Sequence, residues 1–175
     1  LDSWDLGTGA IDDAAGCGIV TAAAKRVMDA GQPLRTIRVV WFGAEEVGLI
    51  GGKAYRDAHA KENHALLAES DSGADRVYRV DSHVNQAALP VVERLAAFLD
   101  PIGVAEGANE ARGGSDIGPL AATGVPVIAL GQDATRYFDT HHTPDDTLER
   151  VDPGQLAQNV AAWTAMIALV ANDAT

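Results

Sequence analysis

The run TIRVVWFG at 36–43 narrows the choice of fold more than any other stretch of the chain. Its β-branched and aromatic residues do not alternate with polar ones, which is the habit of a strand buried on both faces in a largely parallel sheet. VPVIALG at 125–131 has the same character, and both runs end in glycine. HALLAES at 64–70 is a third candidate strand, while the alternating RVYRV at 76–80 suits a more exposed strand at an edge. Helical patterns fall between them: 13–30, rich in Ala and closed by Gly31 and Pro33, then 48–61, then 86–99 with Leu89, Val92, Ala96 and Leu99 on one face. The last helix is the clearest. Asp152 can cap it, Pro153 fits its first position, and Leu156, Val160, Trp163, Ile167 and Val170 follow at helical spacing. Strands alternating with helices predict an α/β fold, a three-layer sandwich with a mostly parallel central sheet and helices on both faces. Residues 1–12 enter a helix without a strand of their own, so strands of the same sheet are expected before Leu1, with LDSWD as the tail of one.

A chain of 175 residues, 47% of them apolar, can bury one full core, so residues 1–175 are expected to form one catalytic-sized domain. No run of apolar residues is long enough to cross a membrane, and the first residues lack the basic start and apolar stretch of a secretory signal. Thirteen Lys and Arg against 25 Asp and Glu leave a net charge of −12, which opposes binding to nucleic acid and to anionic membranes. The single Cys17 has no internal partner for a disulfide and sits among small apolar residues.

In an open α/β sheet, ligands gather at the carboxyl ends of strands, so polar residues directly after apolar runs carry most weight. Four places qualify: Asp12-Asp13 before the Ala-rich helix, Glu45-Glu46 after WFGA, Asp71 after LLAES, and His141-His142 in a Thr/Asp/Pro loop. Each has an ordinary explanation alone, the acidic pairs as helix caps and Asp71 as the start of a turn with Ser72 and Gly73. Together they say more. Adjacent carboxylates repel one another and lose water on burial, so they call for a cation. Carboxylates with imidazole and without cysteine suit a catalytic zinc with open coordination positions.

LDSWDLGTGAIDDAAG, AEEVGL, ESDSG and HHTPDDT resemble, in order and spacing, the di-zinc exopeptidase family of carboxypeptidase Q and the bacterial leucyl aminopeptidases. The SWD and ESDSG segments look closest to the carboxypeptidase Q branch, and the resemblance spans essentially the whole chain. It implies that Asp12 bridges two zinc ions, that Glu46 and His142 complete one ion's protein ligands, that Asp71 binds the other ion, and that Glu45 is the general base. Spacing alone does not choose between Asp12 and Asp13. The family's remaining ligand, a histidine, would fall immediately before Leu1, and Asp2 matches the carboxylate that orients it. His141 stands where one branch carries a Tyr that steadies the tetrahedral intermediate. GGSD at 113–116 resembles a loop closing one side of the cleft, with Asp116 as a partner behind the ligands, although Gly113 and Gly114 also suit an ordinary turn.

The activity so implied is hydrolysis of the N-terminal peptide bond of dipeptides or short peptides by a metal-bound hydroxide, with Glu45 moving the proton. Two zinc ions are expected in the complete domain. In these 175 residues one tight site is expected, because Asp12 and Asp71 alone make a poor second zinc site. Self-association is expected if a sheet edge lies bare. The resemblance also leans towards a secreted or periplasmic location. Two rivals stand beside this reading. A glutaminyl-cyclase-like acyl transferase would use a single zinc on Asp12, Glu46 and His142, and a non-catalytic remnant of the fold would keep the residues without the reaction.

Overall fold

The computed structural model describes residues 2–174, in which elements form where the apolar periodicity finds a partner. A π-type turn at Ala10–Ala14 leads into α1 (Ala15–Ala30), followed by α2 (Ile50–His59), β1 (Val77–His83), α3 (Leu89–Leu99), β2 (Ala105–Glu106), α4 (Gly118–Ala121), β3 (Val127–Gln132), α5 (Tyr137–Thr140) and α6 (Pro153–Asn172). Asp152 caps α6 as its sequence predicts, accepting from the N–H groups of Gly154 at 2.8 Å and Gln155 at 2.9 Å. These bonds satisfy donors that the first turn leaves without an intrahelical partner.

The sheet is mixed. Its strand order is β2-β1-β3, with β1 parallel to β2 and antiparallel to β3. The expectation of a mostly parallel sheet therefore does not describe these three strands. Nor does 76–80 form an edge. It lies within the central strand, where Val77 and Val80 are fully buried. An irregularity in the ladder between Val77 and Arg79 breaks the period of two, so residues three apart both face the core.

That core joins Ile19 of α1, Val77 and Val80 of β1, Leu95 and Leu99 of α3, Ile128 and Leu130 of β3, and Trp163 and Met166 of α6. A second cluster gathers Leu67, Ile117, Leu120 and Val127 against Phe42 and Tyr55. Val127 and Ile128 are neighbours on one strand and so point to opposite faces, which is how the sheet serves both clusters. Each fully buried aliphatic side chain here contributes about 1.5–3 kcal/mol relative to exposure.

The other two expected strands fare differently. Residues 64–70 make one isolated parallel bridge, Leu67 to Val127, through Leu67 N–H to Pro126 O at 2.9 Å and Ile128 N–H to Leu67 O at 3.2 Å. Residues 36–43 join no ladder among the described residues, and Val39 and Trp41 stand 38% and 55% exposed. An apolar run becomes a strand only where a neighbouring edge takes up its N–H and C=O groups. Between these two segments lies a cavity of about 530 Å³, with Val20 of α1 and Trp163 and Met166 of α6 among its apolar lining.

Candidate active site

The acidic residues of the sequence line that same cavity: Asp12, Asp13, Glu45, Glu46, Asp71 and Asp116 all contribute to its wall. Asp12 and Asp13 part company despite being neighbours. The Asp13 carboxylate turns back to accept the N–H of Gly16 at 3.1 Å, as a residue at a helix start does. Asp12 faces the histidine loop, with Oδ2 at 3.2 Å from His142 Nε2 and 3.3 Å from His141 Nε2. His142 Nε2 lies 3.0 Å from Glu46 Oε2 as well. One imidazole thus joins the acidic turn before α1 to the acidic pair after 36–43.

The backbone around these groups is held in conformations that side chains rarely adopt. Ala44, immediately before Glu45, has φ +59°, and His142 itself has φ +59°. Such strain costs about 1–3 kcal/mol per residue and persists only where surrounding contacts impose it. Those contacts are visible. Asp2 accepts the N–H groups of Glu45 at 3.0 Å and Glu46 at 3.3 Å. Burial pushes the Asp2 carboxyl up, but the two donated N–H groups outweigh it and hold the group below its ordinary range. Asp2 therefore anchors the acidic pair, a bond that the family resemblance does not suggest.

Asp146 is the residue that sequence reasoning missed. It is buried, and its two carboxylate oxygens accept the N–H groups of Ile11 at 2.6 Å and Asp12 at 3.1 Å. Its own carbonyl accepts the N–H of Thr8 at 2.8 Å. Lying four positions beyond His142, it ties the histidine loop to the turn that carries Asp12. The second acid of the PDD tripeptide was the available signal, but tripeptides of that kind also occur in plain turns. Tyr137 was missed too. Its hydroxyl is hydrogen-bonded to Asp12, and burial together with the Asp12 and Asp71 charges raises its pKa far above the ordinary value, so it remains a donor. Its ring lies 4.8 Å from that of His141, which in turn stacks on His142 at 3.5 Å.

Asp71 sits at the head of a turn fixed from behind by polar bonds. Gln132 Nε2 donates to Gly73 O at 2.6 Å, and the fully buried Asn159 donates to Ala74 O at 3.2 Å and Asp75 O at 2.8 Å. Gly73 has φ +89°, and a Cβ there would meet the Tyr137 ring at 3.0 Å, so both backbone and packing call for glycine.

The charges are crowded. Burial and the neighbouring Asp71 carboxylate push Asp13 up to about 9, and burial with the Glu69, Asp12 and Glu45 charges pushes Asp71 up to about 8. Asp116 is pushed up to about 6 by burial, Glu69 and Glu45. Glu69 Oε1 and Asp116 Oδ1 are buried without a hydrogen-bond partner. Unsatisfied buried carboxylate oxygens are what a bound cation would relieve. Among the described residues, Asp12, His141 and His142 bring one ligand atom each within 4.8 Å of one another. The mixture of carboxylate and imidazole fits zinc. His141, which the family resemblance places where a residue steadies the intermediate, lies within this same cluster.

A cluster of carboxylates and imidazoles in an α/β chain defines a candidate metal centre. Residues 1–167 match Peptidase family M28, and the chain belongs to that family of di-zinc exopeptidases. It is 35% identical to carboxypeptidase Q of Rattus norvegicus over 99% of this chain and 37% of the relative. It is 33% identical to leupeptin-inactivating enzyme 1 of Streptomyces exfoliatus over 94% of this chain and 43% of that protein. The crystal structure of a peptidase M28 precursor from Shewanella amazonensis superimposes with TM-score 0.95 at 51% identity, covering 99% of this chain and 40% of that one. An aminopeptidase from Aneurinibacillus sp. strain AM-1 superimposes with TM-score 0.74 at 25% identity, over 98% and 42%. The chain thus spans about two fifths of the length of these relatives.

Proposed function

We propose that the chain carries the catalytic site of a zinc-dependent exopeptidase that releases the N-terminal residue of dipeptides or short peptides. The observation that carries this reading is the convergence on His142 Nε2 of Asp12 Oδ2 at 3.2 Å and Glu46 Oε2 at 3.0 Å, three donors from three separate segments. These three would hold one zinc ion. Asp12 would also serve a second ion with Asp71, and His141, as near to Asp12 as His142 is, would supply a further imidazole. The helices packed on both faces of the sheet support a three-layer arrangement around this site.

Zinc, when bound, supplies Lewis-acid polarisation of the scissile carbonyl and acidifies water at neutral pH. The chain's own residues do the rest. Glu45 takes the proton of the attacking water and passes it to the leaving amine. Asp2, through the Glu45 and Glu46 N–H groups, keeps the base and the neighbouring ligand in register. Asp13, Asp71 and Asp116 line the cavity with carboxyl oxygens that accept hydrogen bonds, which suits the free α-ammonium group of a peptide better than a blocked one. Peptides therefore bind by their N-terminus.

The experiment is Glu45→Gln assayed on an amino-acyl anilide, with bound zinc measured beside it. Hydrolysis should fall about 10²–10⁴-fold while zinc content stays. Loss of zinc on that substitution would move Glu45 into the ligand set and refute its role as base. An N-acetylated substrate should be cleaved poorly, and equal cleavage would refute recognition of the amine.

A further inference from the structure

Trp4 lies on the short segment before the first helix and is 47% exposed, so core packing does not account for its presence. Its indole Nε1–H donates to Glu46 Oε2 at 2.7 Å, the same oxygen that lies 3.0 Å from His142 Nε2. Its ring sits 5.5 Å from the His142 ring at 50°. About half of Trp4 is open to solvent, while the Glu46 side chain it touches is only 11% exposed. An exposed tryptophan whose one polar atom turns inward to a nearly buried carboxylate spends its hydrogen bond on orienting that carboxylate.

We propose that Trp4 is a positioning residue of the metal site, acting through Glu46 and His142. This rests on the reading of those two as ligands. A glutamate has three side-chain torsions, and free rotation would carry its oxygens away from the imidazole. The indole N–H fixes the carboxylate plane, and the ring flanks His142 and limits its swing, leaving the two donors oriented before an ion arrives. Partners that orient ligand side chains in this way commonly set metal affinity over one to two orders of magnitude. Asp2, two residues earlier, holds the Glu45 and Glu46 backbone, so one segment fixes the pair at both main chain and side chain.

The test measures zinc affinity by competition with a chromophoric chelator, and the visible spectrum of the Co²⁺ form, for five variants of the full chain. Trp4→Phe keeps a ring against His142 and removes the N–H. It should weaken zinc binding about 10–100-fold and shift the Co²⁺ bands, with the melting temperature of the metal-free protein unchanged. Replacing Trp4 by benzothienylalanine, which has the shape of indole without the N–H, should do the same and removes the objection that Phe is smaller. Leu6→Ala, 81% exposed in the same segment, should leave both readouts as they were. Glu46→Gln should weaken binding, and adding Trp4→Phe to it should weaken it little further. Affinity within about two-fold of the unsubstituted chain for both Trp4 variants, with Glu46→Gln still impaired, would overturn the role of Trp4 alone. Unimpaired binding in Glu46→Gln would overturn the ligand reading and Trp4's role with it.

Discussion

The region built from β1, α3, β3 and α6 and the region from 36 to 71 hold comparable apolar material and use it differently. In the first, every strand is paired and Val77, Val80, Leu95 and Ile128 are sealed in one core. In the second, a stronger apolar run makes no ladder among the described residues, a second makes one bridge, and a cavity of about 530 Å³ separates them. The candidate site takes Glu45, Glu46 and Asp71 from the second region, Asp12 from the turn before α1, and its histidines from a loop after β3. The lesson is that apolar content does not make a strand; an available edge does. Acids set at the end of such a loosely paired segment need fixing from elsewhere, and Asp2 provides it for Glu45 and Glu46, as Asp146 does for Asp12 on the turn before α1.

The comparison can be broken most forcefully in the core. Leu95→Ala removes a side chain that is 1% exposed, and should cost about 2–5 kcal/mol by chemical denaturation. A loss below about 1 kcal/mol would mean that the first region is not the stable unit. Asp146→Ala comes next. It strands the buried N–H groups of Ile11 and Asp12, each of which costs about 1–3 kcal/mol unpaired. The same variant should weaken zinc binding because Asp12 loses its backbone anchor. Stability lost with zinc affinity intact would show that Asp146 braces the fold without shaping the site.

Much of this contrast was legible in the sequence and part was not. Helix α6, its Asp152 cap and strand β3 follow from periodicity and chain chemistry that need no distant partner. The edge position expected for 76–80 failed because β1 is paired on both sides, and a ladder irregularity put Val77 and Val80 on one face, which strict alternation cannot express. The pairs Asp12-Asp13, Glu45-Glu46 and His141-His142, among which the family resemblance singled out Asp12, Glu46 and His142, stood out by their place in the chain. Asp146, Tyr137 and Trp4 did not, since each acts through a hydrogen bond to a residue more than 40 positions away, and spacing carries no trace of that contact.

The crowded carboxylates sharpen the comparison through pH. Asp13 at about 9 and Asp71 at about 8 both lie above the ordinary value of 3.8. Between those limits the folded, metal-free chain holds protons that the unfolded chain has released. Stability is therefore greatest at the acid end of that window and declines as pH rises through it. Melting in the presence of a chelator should fall from pH 5.5 to 8.5, and Asp71→Asn should flatten the slope. Zinc binding at pH 7 should release protons, measurable by calorimetry in buffers of different ionisation heat, and less so in Asp71→Asn. A rising melting temperature over that range would place these acids outside any shared site.

The smallest effect is the most discriminating. Val39→Ala and Val80→Ala delete the same two methyl groups, one from a run that the sequence marks as buried on both faces and one from an alternating run that it marks as more exposed. Val80 is 1% exposed within a paired central strand, so its loss leaves a cavity and should cost about 2–3 kcal/mol. Val39 is 38% exposed on a segment without a ladder, where the methyl groups are part-solvated already and little closes around the gap. Its loss should stay within about 0.5 kcal/mol, the range of surface substitutions. Denaturant titrations of the two variants side by side give the ratio without reference to any absolute stability. Equal costs would mean that 36–43 is packed in solution as firmly as β1, and the contrast between the two regions would then have to be given up.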